Sequence, residues 1–106
     1  MSKNPLDTYK QFDPKAIECW KNLEQATFSE GALSAKTKVL IAMAIDAEEG
    51  VVQGATALGF RALQLGATKD EIVEALRVAY QIGGNRALYT SAIVLQNLFM
   101  QEKPQI

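Results

Sequence analysis

Histidine is absent from this chain of 106 residues, and cysteine occurs once, as Cys19. Without histidine the protein lacks the commonest general base and the commonest metal-binding side chain. That absence excludes a Ser-His-Asp triad, a Cys-His pair and any zinc site with imidazole ligands. A single cysteine also excludes an intramolecular disulfide and Cys-x-x-Cys chemistry. We therefore expect no metal, no cofactor and no catalytic residue of these types.

Three further features are missing. The seven glycines and three prolines are concentrated near predicted helix ends, with no run of them, so no low-complexity linker divides the chain. A net charge of −1 provides no basic field for nucleic acid. No apolar run is long enough to span a membrane, and no signal-peptide pattern precedes the first predicted helix. We expect a cytoplasmic protein with neither a nucleic-acid nor a membrane partner.

Helical periodicity is the pattern that is present. Apolar residues recur at steps of three and four, and no segment alternates as a strand does. With 48% hydrophobic residues the chain is sufficient for one compact domain but not two. The pattern predicts an all-α domain of about five helices, which cover approximately residues 14–28, 35–49, 51–65, 69–82 and 86–100.

The predicted domain extends from residue 13 to residue 101. Residues 1–12 are mostly polar and are expected to form a loose N-terminal segment, and residues 102–106 a C-terminal tail. The apolar side chains within the N-terminal segment are candidates for contact with a partner subunit: Leu6, Tyr9 and Phe12.

Asp13-Pro14 marks the start of the first predicted helix, whose buried side should include Ile17, Trp20 and Leu23. Cys19 on the same helix is more readily explained as a small buried apolar side chain than as a redox site. We expect Asn85 to cap the last helix.

The central predicted helix carries small residues on its apolar face. Gly54 and Gly59 each cost helix stability, so their presence suggests either close packing of another helix or a ligand-sized gap. The helix should end at Gly66, because glycine is the usual residue in the left-handed position after a helix. Thr68 and Glu71 have the spacing of a capping box and begin the next helix.

Five helices in 106 residues give a thin core. The apolar content exceeds what such a bundle hides easily, and contiguous exposed apolar surface is uncommon on monomers. We therefore expect the protein to self-associate through a helix face.

The segment from Leu33 to Leu76 carries the most specific resemblance to known proteins. Its pattern GALSAKTKVLIAMAIDA, followed by A-x-x-x-G-A-T-K-D-E-I-V-E-A-L, resembles the carboxymuconolactone decarboxylase family, which includes the AhpD-like alkylhydroperoxidases. The later AYQIGG fits the same pattern, so the resemblance covers approximately residues 16–98. It implies an all-helical, AhpD-like domain that assembles as a homotrimer or homohexamer.

The resemblance also shows where family chemistry would lie. Peroxidase members carry a glutamate, then Cys-x-x-Cys, then histidine. The glutamate and histidine relay protons to the cysteine pair, in which one thiolate attacks peroxide and the other resolves it as a disulfide. Decarboxylase members keep the histidine. By alignment from Gly66, the four positions fall on residues that cannot ionise, and we call them the vacated positions: Val39, Val51, Gly54 and Leu58. Neither activity therefore carries over residue by residue.

Acidic residues cluster before the central helix. Asp46, Glu48 and Glu49 are close enough in sequence to bind a hard cation or to do acid–base work. The alternative is a solvated helix end. Gln53, between the two former cysteine positions, would face the mouth of any remaining cavity.

Arginines and tyrosines form the second polar group. With arginine as the clamp, they could line a pocket for a small carboxylate. The alternative is that they pair with acidic residues between helices or subunits. The members of this group are Arg61, Arg77, Arg86, Tyr80 and Tyr89.

Two hypotheses of function follow. The first is a non-catalytic homo-oligomer that binds a partner or small ligand in the vacated pocket. The second is a peroxidase (peroxiredoxin-type) or decarboxylase-lineage enzyme that acts on a hydroperoxide or small organic acid through other residues. Those residues would be Glu48, Glu49, Gln53, Arg61 or a side chain of a neighbouring subunit.

The first hypothesis is preferred, because Val39, Val51 and Leu58 would turn a polar relay into a dry, packed site. A pocket that holds a carboxylate of raised pKa beside an arginine would favour the second.

Overall fold

All regular structure in the computed structural model, which describes residues 4–101, is helical. The predicted all-α class is confirmed, with six helices rather than five. No helix in the described range combines the length and hydropathy needed to cross a bilayer. The helices are α1 (Pro5–Phe12), α2 (Pro14–Phe28), α3 (Ala35–Glu48), α4 (Val52–Gln64), α5 (Lys69–Gly83) and α6 (Asn85–Phe99).

Helix α1 was not predicted. Asn4 caps it, since its Oδ1 accepts from the Leu6 amide at 2.9 Å, and Pro5 occupies the first helical position. The expectation of a loose segment over residues 1–12 is therefore wrong for residues 5–12. Residues 1–3 and the predicted tail at 102–106 lie outside the described residues.

Helices α1 and α2 form an N-terminal arm that packs little against the rest of the molecule. Ile17 is the only buried residue on the arm. Trp20 and Leu23 were expected to be buried but are exposed, as is Cys19. The reason is that only α1 and α3 run alongside α2, and α4 reaches only its last residue, Phe28, through Arg61. The radius of gyration, 15.3 Å, accordingly exceeds the value of about 13 Å for a compact chain of this length.

Helix α3 is the centre of the core and contacts each of α4, α5 and α6. Its buried side chains Val39, Met43 and Ala47 follow helical spacing. A Cβ added at Gly59 of α4 would lie 2.7 Å from Leu98 Cδ1 of α6. A side chain at position 59 would force Leu98 to shift, so glycine favours close helix packing here, and the alternative of a ligand-sized gap at Gly59 is wrong because Leu98 fills the space.

Two glycine turns set the directions of the helices around the core. Gly66 has φ +96° and ends α4 as predicted, with the Ala67 amide donating to the Ala62 carbonyl at 2.9 Å. The turn after α3 has the same form: Gly50 has φ +81°, and the Val51 amide donates to the Asp46 carbonyl at 2.8 Å. Only Gly50 and Val51 therefore separate Glu49, the C-cap of α3, from the start of α4.

The predicted capping box at the start of α5 is confirmed. Thr68 Oγ1 accepts from the Glu71 amide at 3.0 Å, and Glu71 Oε1 accepts from the Thr68 amide at 2.8 Å. Lys36 Nζ lies 3.0 Å from Glu71 Oε2 and joins α3 to α5. The pKa of Glu71 is lowered, first by the Thr68 amide and then by Lys36. The charged carboxylate therefore stabilises the fold above the ordinary carboxyl pKa, and this contribution is lost as the pH falls through the lowered pKa.

The start of α6 differs from the prediction. Gly84, with φ +71°, precedes the helix in the capping position, and no side chain caps the first turn. Asn85 is the first helical residue, so its predicted capping role is wrong. Gly84 adopts a positive-φ backbone conformation that is open mainly to glycine. The backbone therefore makes the turn into α6 without a cap from the Asn85 side chain.

Replacing Thr68 by alanine removes one half of the capping box. We expect Thr68→Ala to lower the free energy of unfolding by about 1 kcal/mol, because the Glu71 amide loses its acceptor. Urea denaturation measures the change. Thr68→Ser keeps the hydroxyl and is the matched control. Equal stability of the alanine and serine variants would contradict this role.

Candidate functional site

The vacated positions lie where α3 packs on α4. Val39 is fully buried in the core, and Leu58 packs against the same core residues. A Cβ at Gly54 would lie 3.2 Å from Val51 Cγ1, so these two positions are neighbours at the start of α4. The side chains present at the four positions are hydrocarbon or hydrogen, which can neither transfer a proton nor attack an electrophile.

One carboxylate approaches this group. A Cβ added at Gly54 would collide with Oδ2 of Asp46, so the carboxylate occupies the space that a longer side chain at position 54 would need. Burial raises the pKa of Asp46, and the negative charge of Glu49 raises it further. The perturbation therefore comes from burial and a like charge, with no arginine among its causes.

Glu48 and Arg86 pair with each other. Arg86 Nη2 lies 3.2 Å from Glu48 Oε2, and Arg86 Nε donates to the Glu48 carbonyl at 3.1 Å. The Arg86 side chain also lies over Gly50, where an added Cβ would be 3.2 Å from Arg86 Cδ. These contacts fasten the end of α3 to the start of α6, which is the alternative of inter-helix pairing considered above.

The other predicted pocket residues do not converge. The Arg61 guanidinium lies over the Phe28 ring, 4.6 Å from its centroid, and joins α4 to the end of α2. Glu49 and Gln53 are exposed. Over residues 4–101, no three acidic or cysteine side chains come together as a metal-binding group, so the cation alternative for the acidic cluster finds no support in the described structure.

Arg77 and Tyr80, in contrast, line one groove between α5 and α6. Its volume is about 260 Å³, and its other lining residues are Val73, Leu76, Leu88, Ser91, Ala92 and Leu95. Tyr89 points elsewhere and is exposed. We call this the α5–α6 groove.

Sequence reasoning missed Ser91. It is 5% exposed, and its hydroxyl has no hydrogen-bond partner within residues 4–101. A signal was available, because Ser91 lies four residues after Ala87 and three before Val94, both fully buried. Helical spacing therefore places a serine on the buried stripe of α6.

A second groove, of about 330 Å³, lies between α3 and α5. Its exposed side chains are wholly aliphatic, and we call the surface that they form the α3–α5 face: Ile41, Ile45, Val78 and Ile82. Ile41 and Ile45 also line a third groove, beside Thr27 and Phe28, so the apolar surface extends to the end of α2.

The burial of Val39 predicts its response to a charge. Val39→Glu should lower the free energy of unfolding by about 3–5 kcal/mol, because the carboxylate would be buried without a partner. Val51→Glu makes the same substitution at an exposed vacated position and should change stability little. Thermal and urea unfolding measure both variants. A Val39→Glu variant as stable as Val51→Glu would contradict the packed site.

Comparison with known proteins agrees with this architecture. No curated protein matches the sequence significantly. Among solved structures, the crystal structure of apo-lpg0406, a carboxymuconolactone decarboxylase family protein from Legionella pneumophila, superposes with a TM-score of 0.83. The two sequences are 30% identical, and the match covers 88% of this chain and 83% of that one. Residues 14–96 match the model of the carboxymuconolactone decarboxylase family. The chain belongs to the carboxymuconolactone decarboxylase family.

Proposed function

We propose that this protein is a family member without peroxidase or decarboxylase chemistry at the vacated positions, and that it works as a homo-oligomer that binds a small ligand. The observation that carries the proposal is the full burial of Val39, with Leu58 packed against the same core. A proton relay needs ionisable groups that reach the substrate, and hydrocarbon fills this part of the α3–α4 contact.

The enzyme hypothesis receives less support. It calls for a carboxylate of raised pKa beside an arginine. Asp46 has a raised pKa, but burial and Glu49 are its causes. Arg86 is engaged by Glu48, and Arg61 lies over Phe28. The carboxylate of raised pKa and the two arginines therefore take part in different contacts and do not form one site.

Peroxide turnover tests whether the one thiol of the chain supports peroxidase chemistry. We expect no dithiol-dependent consumption of hydrogen peroxide or an alkyl hydroperoxide above that of the Cys19→Ser variant, because Cys19 is the only thiol and has no resolving partner in the chain. A coupled assay of peroxide consumption measures this. Turnover by the natural chain that Cys19→Ser abolishes would overturn the non-catalytic assignment.

Self-association is supported by two apolar surfaces that do not cover each other. The N-terminal arm exposes large side chains, among them Phe12 at 83% and Leu23 at 68%. The α3–α5 face exposes aliphatic side chains, among them Ile82 at 76%. Single exposed apolar residues are ordinary, whereas contiguous sets mark interaction sites.

We infer that neighbouring copies of the chain cover both surfaces. If the arm of one copy lies on the α3–α5 face of the next, each copy gives one surface and receives the other. Contacts of this head-to-tail kind close into rings when the rotation permits. The arrangement accounts for the elongated shape and is compatible with the homotrimer or homohexamer that the family resemblance implies.

Charges on the α3–α5 face should prevent assembly. We expect the natural chain to have a solution mass that is a multiple of 11.6 kDa, and Ile45→Glu with Val78→Glu to reduce it to the monomer mass, since the carboxylates would be desolvated at the contact. Light scattering coupled to gel filtration measures the mass. Tyr89→Glu, at an exposed residue outside the face, is the control and should leave the mass unchanged.

Circular dichroism must show that the double variant keeps its helices. A natural chain that is monomeric at all concentrations would contradict self-association. If Tyr89→Glu dissociates the oligomer while the Ile45→Glu, Val78→Glu double variant remains oligomeric, the interface lies outside the α3–α5 face.

A further inference from the structure

The α5–α6 groove contains a polar group that the fold does not satisfy. Ser91 lies on the buried stripe of α6 and lines the groove, and its hydroxyl has no hydrogen-bond partner. Buried hydroxyl groups are nearly always paired, because an unpaired one loses its hydration without compensation. The groove is the open space beside Ser91, and a ligand oxygen that displaces the side chains covering the hydroxyl would supply the missing partner.

A positive charge borders the same groove. Arg77 is one of its lining residues, and within residues 4–101 its guanidinium makes neither an ion pair nor a hydrogen bond to another side chain. The described ion pairs instead use Lys36 and Arg86. Arg77 is therefore available to a ligand, in contrast to Arg86 and Arg61, which the fold engages.

The remaining wall of the groove is hydrocarbon, chiefly Leu76, Leu88 and Leu95. A hydroxyl donor and a guanidinium beside an apolar surface fit a molecule with one anionic end and a short apolar body. The volume of about 260 Å³ is slightly below the usual range for drug-sized ligands, so the ligand is small.

We propose that the α5–α6 groove binds a short-chain monocarboxylate, whose carboxylate accepts hydrogen bonds from Ser91 Oγ and the Arg77 guanidinium while its hydrocarbon body lies on Leu76, Leu88 and Leu95. The inference rests on the proposed ligand-binding function and gives it a site and a ligand class. The site is distinct from the vacated positions, which lie between α3 and α4.

A helix of a second copy fits this groove less well. An apolar helix laid over it would bury the Arg77 charge without a partner, which opposes docking. The exposed side chains of the α3–α5 face are aliphatic, and Glu48, the one charged residue that lines its groove, is paired with Arg86, so docking there costs less. The two surfaces therefore suit different occupants.

Amide NMR with hexanoate as the probe tests the proposal. We expect shifts concentrated in α5 and α6, with a dissociation constant on the order of 1 mM for so small a ligand. Hexanol and hexylammonium have the same chain with no charge and with the opposite charge, and both should bind at least about tenfold more weakly.

Two variants assign the polar contacts. Arg77→Gln and Ser91→Ala should each weaken hexanoate binding by about tenfold or more. Ser91→Ala should unfold at the same temperature as the natural chain or higher, since it removes an unpaired hydroxyl, so a loss of binding would not reflect a loss of fold. Lys15→Gln removes one positive charge from exposed α2 and is the matched control, with binding unchanged.

The proposal is overturned if hexanoate leaves the α5 and α6 amides unshifted up to tens of millimolar, if hexanol binds equally well, or if Lys15→Gln weakens binding as much as Arg77→Gln. Failure of the wider function is distinguishable. If the oligomer forms but does not bind hexanoate, the proposed site is wrong and self-association still stands. If Arg77→Gln dissociates the oligomer, the groove is a subunit contact and the proposal falls.

Discussion

Close packing of α3 against its neighbours is the constraint on which the rest of the structure depends. Val39, Met43 and Ala47 of α3 are fully buried, and the helix contacts every other helix of the core. Small residues of α4 permit this closeness, and Gly59 permits the equally close approach of α6. Protein interiors pack at nearly crystalline density, so side chains in such a contact are fixed by their neighbours.

The same constraint acts on the positions where related proteins keep their chemistry. Val39 and Leu58 contribute to the α3–α4 contact as packing residues. Polar contacts hold α3 at its two ends instead: Lys36 joins its first turn to Glu71 of α5, and Glu48 at its last residue joins Arg86 of α6. Glu48 and Arg86, two of the predicted pocket residues, are thus paired with each other and join α3 to α6.

The surfaces that the core leaves open have two different chemistries. The α3–α5 face is aliphatic and suits a subunit contact, while the α5–α6 groove adds Ser91 and Arg77 to its hydrocarbon wall and suits a small anionic molecule. Both use α5, whose capping box and ion pair to α3 fix its position. Family membership by itself assigns neither surface a function, because one fold supports many sites.

The sequence by itself determined the family, the helical class and the local signals: the end of α4 at Gly66 and the start of α5 at Thr68. These features depend on contacts within a few residues, which the sequence displays directly. The Asn4-Pro5 start of α1 was equally local and was overlooked.

Only the tertiary structure decided which side chains meet. Trp20 and Leu23 follow a helical stripe, yet no helix covers them. Arg77, Arg61 and Arg86 are alike in the sequence, and only the packing of the helices leaves the first without a partner while it engages the others. Burial and pairing are long-range properties, because they depend on which helix lies opposite, and helical periodicity specifies a face without specifying its partner.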